Sequence, residues 1–235
     1  MNRAYYSNLI DDFIYEDSQT IYGKISGSYD LDKLSIQQSN AWKAQIEILK
    51  ETITSFRGKV YFEFTIPRMG KRVDNILIID NCIFVLEFKI GSDVYDKYAI
   101  NQAFDYGLDL NNFHEGSHNE IIIPILVADK APDIKNTFNK SYDNLYETIY
   151  ANSNNLTDVI NSSLSYFQKT NKIKIDYWEN SIYKPTPTII EAATALYKKH
   201  NVDEISRSDS GAENLSVTSN CISQIIDFSK ENNRK

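Results

Sequence analysis

Long apolar runs are missing from this 235-residue sequence: the longest, Ile76 to Ile79 and Ile121 to Ala128, are far too short to cross a bilayer. The opening Met1-Asn2-Arg3 is polar and lacks the apolar stretch of a secretion signal, so the expected location is cytoplasmic, with no membrane partner. Cysteine is nearly absent. Cys82 and Cys221 lie far apart and in no metal-ligand spacing, which excludes a disulfide framework and a cysteine zinc cluster. Basic charge is in deficit, with 25 Lys and Arg against 32 Asp and Glu and a net charge of -7, so the chain does not hold nucleic acid by bulk attraction alone. Histidine is scarce too: His114 and His118 are four apart, but Gly116 between them marks a helix-ending loop, and a zinc pair needs both on one helical turn. Internal repeats and low-complexity blocks are also lacking.

What is present suffices for a globular core: 42% hydrophobic and 12% aromatic residues, enough for one substantial domain plus an appendage. The first forty residues carry a short helical pattern (Tyr5, Leu9, Ile10, Phe13) and a Gly/Ser stretch, and read as an irregular lead-in. From Asn40 to about Phe56, Trp42, Ile46, Leu49 and Ile53 recur at helical spacing. Lys59 to Ile66 alternates, with Val60, Phe62, Phe64 and Ile66 expected on one side and Lys59, Tyr61, Glu63 and Thr65 on the other. Pro67 and Gly70 break that run, and Val73 to Ile79 and Cys82 to Ile90 complete a three-strand meander. A helix from about Tyr98 to Phe113 and a strand buried on both faces, Ile121 to Ala128, follow. Past Ala131 the pattern turns helical: Asp143 to Tyr150, Leu156 to Phe167, a helix opened by Thr188 with Glu191 in capping-box spacing, and a modest amphipathic run from Cys221 to Phe228. The domain reading is a lead-in over 1–39, a core over 40–130 and a mainly helical extension over 131–235.

The chemistry concentrates on one hairpin. Asp80-Asn81 suits a two-residue turn, and Asp74 lies as far before it as Glu87 lies after it, so the two carboxylates become cross-strand partners. Their Cβ atoms are expected about 4.5–5.5 Å apart. Lys89 points to the same face, because side chains alternate along a strand. Like charges held opposite one another destabilise a sheet unless positive charge sits between them, which points to a divalent cation, Mg²⁺ or Mn²⁺. An ordinary surface ion pair, contributing about 0–1 kcal/mol, is the competing account. It does not explain two opposed carboxylates on a face that also carries Ile76, Ile78 and Val85. Glu63 ranks first as a further acid, because a loop at Arg68 to Lys71 pairs it with Ile76 on the face of Asp74; Glu47 and Glu51 default to solvent. Arg57, Lys59, Arg68, Lys71 and Arg72 face the single acid Glu63 in the stretch leading to Asp74, and Arg68, Lys71 and Arg72 are the candidate phosphate contacts. Trp178, Tyr177 and Tyr183 could stack on bases, although core packing is the commoner role of such residues.

Asp74 followed by Glu87-x-Lys89, on the second and third strands of a helix-strand-strand-strand-helix-strand order, resembles the PD-(D/E)XK nuclease superfamily. Gln102-Ala-Phe-Asp-Tyr106 on the next helix is similar to the Gln-x-x-x-Tyr element of its RecB-type branch, with Gln102, Tyr106 and Asp109 on one helix face. Further segments, Ile66 to Asp74, Phe84 to Lys89, Asp105 to Leu110 with Phe113-His114-Glu115, and Pro185 to Ala193, resemble the N-terminal part of bacterial proteins in which such a domain precedes a Schlafen-type superfamily-one helicase. The resemblance runs from about Trp42 to the end. No G-x-x-x-x-G-K-[ST] loop occurs, so the sequence lacks an ATP site of that kind and reads as either a piece of a longer protein or a stand-alone relative.

The resemblance implies an α/β, restriction-endonuclease-like core, a mixed sheet flanked by helices, with a helical C-terminal extension. It implies a nuclease that hydrolyses phosphodiester bonds in DNA ahead of RNA, acting with a helicase in phage defence. Asp74 and Glu87, with Glu63, are the expected metal ligands; Lys89 positions the attacking water, and Gln102 and Tyr106 orient Lys89 or the phosphate. The alternative is a catalytically inactive module that keeps the fold to bind nucleic acid or dock a helicase or defence partner. A protein-protein module in an anti-phage system is the third expectation, resting on the acidic balance.

Overall fold

The computed structural model describes residues 3–30, 34–67, 70–141, 144–167, 171–183 and 222. Its centre is a six-stranded sheet whose strands follow chain order from edge to edge. β1 (Tyr6–Leu9), β2 (Gly58–Ile66), β3 (Lys71–Ile79) and β4 (Cys82–Lys89) are antiparallel neighbours, and β5 (Ile121–Ala128) and β6 (Ile149–Ala151) add in parallel. The chain is therefore α/β with a mixed sheet. β4 reaches β5 through α4 (Lys97–Phe113), the crossover that a parallel neighbour requires.

Helices cover both faces. Against one lie α1 (Ile10–Tyr15), α2 (Ser18–Gly27), α3 (Ile36–Thr52) and α5 (Leu156–Tyr166), whose Phe13, Ile25, Trp42, Leu49 and Ile160 pack on Phe62, Leu77, Phe84 and Ile123. Against the other lie α4 and α6 (Ile175–Asn180), whose Tyr106, Leu110 and Trp178 pack on Tyr61, Ile76, Ile83 and Ile122. α3 starts where Ser35 accepts the Gln38 N–H at 3.0 Å, and α4 where Asp96 accepts from Tyr98 and Ala99, side-chain caps for otherwise orphaned amides. Gly107 lets α4 lie close to β5, since a Cβ there would come within 2.8 Å of Leu145 and 2.9 Å of Pro124. Among the described residues no helix is long and apolar enough to cross a membrane.

Several expectations are corrected. The opening residues contribute the edge strand β1 and two core helices, because Tyr6, Ile10, Phe13, Ile21 and Ile25 bury against the sheet. In the segment read as a helix over Asp143 to Tyr150, none of the described residues, 144–150, is helical. The Ile122 N–H bonds to the Asn144 carbonyl at 2.9 Å and the Tyr146 N–H to the Ile122 carbonyl at 3.1 Å, so these residues satisfy the backbone of β5 and lead into β6. On β2 the alternation reverses: Phe64 and Ile66 face the α4 side with Tyr61, not the side of Val60 and Phe62. The cause is Glu63, whose φ of 52° is in the left-handed region and turns the strand over. The Thr188 helix lies outside the described residues, as does the Cys221 to Phe228 run apart from Ile222.

Candidate active site

The hairpin that carries the candidate carboxylates closes as its turn residues require. Asp80 takes φ 51°, which Asp tolerates, and Ile79 pairs with Cys82, Ile76 with Val85 and Asn75 with Leu86. The next step in this register is Asp74 across from Glu87, and there the backbone ladder stops. Asp74 Oδ2 instead accepts the Phe88 N–H at 2.8 Å, so a side chain takes the place of a strand carbonyl and β3 and β4 part at the carboxylates. On the other side of β3, Phe62 pairs with Asn75 and Phe64 with Val73, which sets Glu63 across from Asp74. The expected partner Ile76 pairs with Tyr61, because the four-residue β2–β3 connection falls one residue earlier, with Ile66 on Lys71.

Three charged groups of the hairpin thus meet where the sheet opens. Glu87 is buried, its Oε1 accepts from Lys89 Nζ at 2.7 Å, and its Oε2 is buried with no hydrogen-bond partner. Burial raises the Asp74 pKa well above the usual carboxylate value, and the charge of Glu87 pushes it further. Glu87 is raised in the same way by burial, with Lys89 opposing. Burial works to lower Lys89, but the charge and hydrogen bond of Glu87 outweigh it, so the ammonium is held above its usual value. These groups border a cavity of about 1110 Å³ whose other wall is the start of α3, with Ser35, Gln38 and Gln45.

α4 covers the cluster from the other face. Gln102 Nε2 donates to the Tyr106 hydroxyl at 3.0 Å, and the buried Tyr106 phenol is pushed up to about 12 by burial and by the charges of Glu87 and Asp74. Asp109, one turn on, is buried as well.

Comparison of the chain with family models, with curated proteins and with solved structures finds no match. The site must stand on its geometry.

Glu63 is near the pair, and its charge bears on both Asp74 and Glu87, but its oxygens are occupied. Oε1 accepts from Trp42 Nε1 at 2.7 Å and Gln38 Nε2 at 3.3 Å, and Oε2 accepts from Arg72 Nε at 2.8 Å. Glu63 thus brackets α3 to the sheet, and among the described residues no group of three or more His, Cys, Asp or Glu is gathered to hold a metal. Two carboxylates remain that fit a hard cation, since Glu87 Oε2 is an orphaned buried acceptor and Asp74 carries a second charge beside it.

Arg72 is committed to Glu63 and stands over the rings of Tyr5 and Tyr29, 4.9 and 5.5 Å from their centroids, so it is not a free phosphate contact. Lys71 is exposed, and its charge reaches Glu87. Arg68 lies outside the described residues. Trp178 is fully buried between Tyr61 and Phe64 and donates to Ser117 Oγ at 2.8 Å, so it is core and cannot stack on bases. Tyr177 beside it is exposed. Spacing did not single out Gln38 and Gln45; the legible signal was a glutamine at position 45 on the stripe of Trp42, Ile46 and Leu49.

Proposed function

We propose that this chain is a metal-dependent nuclease domain of the restriction-endonuclease-like type, hydrolysing phosphodiester bonds with Mg²⁺ or Mn²⁺ and acting on nucleic acid together with a helicase. The observation that carries the reading is the buried, unpartnered Glu87 Oε2 beside Asp74, on a hairpin that opens at those two residues and presents Lys89 with them. The order α3-β2-β3-β4-α4-β5 and the nearness of Tyr106, bonded to Gln102, to the charges of Glu87 and Asp74 support it.

The cation, when bound, supplies a water of lowered pKa and offsets charge developing on the phosphate. Asp74 and Glu87 hold it. Lys89 keeps its proton through its pairing with Glu87, and so presents a fixed positive charge to a phosphate oxygen in the cavity. Tyr106 stays protonated at neutral pH and, braced by Gln102, keeps its hydroxyl available as a donor. The occupied state of Glu63 favours the second reading, a nuclease-fold module that binds nucleic acid without cutting it.

The test is incubation of the full chain with single- and double-stranded DNA and RNA, with Mn²⁺ or EDTA, followed by a denaturing gel. Cleavage in Mn²⁺ alone, lost in Asp74→Asn and Lys89→Met, is expected. Binding without cleavage on every substrate sinks the enzyme reading in favour of the binding module.

A further inference from the structure

Two buried oxygens border the same cavity without a donor. One is Glu87 Oε2, and the other is Gln45 Oε1, on residues only 2% and 3% exposed. The donors nearby are directed elsewhere: Lys89 Nζ to Glu87 Oε1, and Trp42, Gln38 and Arg72 to Glu63. Two unpaired buried acceptors on one cavity call for an explanation, and an ion that both could reach is one. Gln45 lies one turn beyond Trp42 on the sheet-facing side of α3, and the Trp42 indole already reaches Glu63, the residue across from Asp74.

We propose that Gln45 supplies a neutral oxygen to the cation held by Asp74 and Glu87, the ligand position that spacing alone offered to Glu63. This rests on the metal-site reading above. Hard divalent cations accept side-chain amide oxygens beside carboxylates, and the number of charged ligands tunes how tightly they bind. With two carboxylates and an amide, the ligand set falls one negative charge short of the three-acid set. A phosphate oxygen of the substrate makes up the difference, so cation and substrate bind cooperatively, each strengthening the other.

The experiment is thermal melting of the full chain in EDTA and across a MnCl₂ titration, for wild type, Gln45→Glu and Gln45→Met. Gln45→Glu places a third acid beside Asp74 and Glu87, so it melts below wild type in EDTA and reaches its half-maximal Mn²⁺ shift at about tenfold lower concentration. Gln45→Met keeps the length and loses the oxygen. It melts no lower than wild type in EDTA and needs at least about fivefold more Mn²⁺. Equal Mn²⁺ response in wild type and Gln45→Met overturns the ligand role and leaves the Asp74–Glu87 site standing, whereas no Mn²⁺ response in wild type overturns the metal site and this inference with it. The arms are independent: should Gln45→Met not fold, a Gln45→Glu protein that binds Mn²⁺ no more tightly overturns the inference alone.

Discussion

Replacing Arg72 by Met tests whether Glu63 is a structural bracket. The substitution keeps the length of the side chain but removes the guanidinium that stands over Tyr5 and Tyr29 and leaves the Glu63 carboxylate with no counter-charge. Removing one member of a buried pair costs about 3–5 kcal/mol. Here the Glu63 side chain is 6% exposed and that of Arg72 31%, so water already screens the arginine end and the lower end of the range, about 3 kcal/mol, is expected. For a chain of this size that lowers Tm by about 6–12 °C. Glu63→Gln keeps an acceptor for Trp42 and Gln38, so it is milder, about 1–2 kcal/mol, and the double variant should melt well above Arg72→Met alone. The assay is circular dichroism melting of wild type, these three variants and Asp74→Asn in EDTA and in Mn²⁺. A cation at one hundred times its Kd adds about 2.7 kcal/mol, a Tm rise of about 5–11 °C. Glu63→Gln should keep that rise and Asp74→Asn should lose it. The reasoning fails if Arg72→Met melts within about 2 °C of wild type, or if Glu63→Gln abolishes the Mn²⁺ response as Asp74→Asn does.

Two further outcomes follow from the packing. Burial, with the charges of Arg3 and His118, lowers His114 from 6.5 to about 3, so unfolding takes up a proton as pH falls through that window. The stability His114 contributes is present above pH 6.5 and lost toward pH 3, with a slope of at most about 1.4 kcal/mol per pH unit; urea unfolding across that range should show a shallower slope for His114→Gln. Gly58 has φ +152° and an added Cβ would lie 1.9 Å from the Ile78 carbonyl oxygen, so Gly58→Ala should cost about 3 kcal/mol or more by calorimetry. Gly23, in α2 with nothing within 4 Å, should gain about 0.5–1 kcal/mol as Ala, and a loss there would contradict its open surroundings.

Local pattern and local chemistry determined much of this molecule. The turn at Asp80-Asn81 sets the register that brings Asp74 toward Glu87 and Lys89, because a two-residue loop admits one pairing. Helical spacing placed Gln102 and Tyr106 on one face of α4, and an unbroken apolar run marked β5 as buried on both sides. Each of these follows from contacts within a few residues or across one tight turn.

Tertiary structure decided the rest. The left-handed φ of Glu63 reverses the facing of β2, and nothing in an alternating sequence announces a non-glycine residue in that region; it persists because Trp42 and Arg72, from α3 and β3, hold the carboxylate. The strand role of Tyr6–Leu9 and of Ile149–Ala151 depends on which sheet edges were left to cover. Which acid is occupied and which oxygen is left without a donor depends on where α3 lies against the open end of the hairpin, a long-range packing outcome that spacing along the chain does not encode.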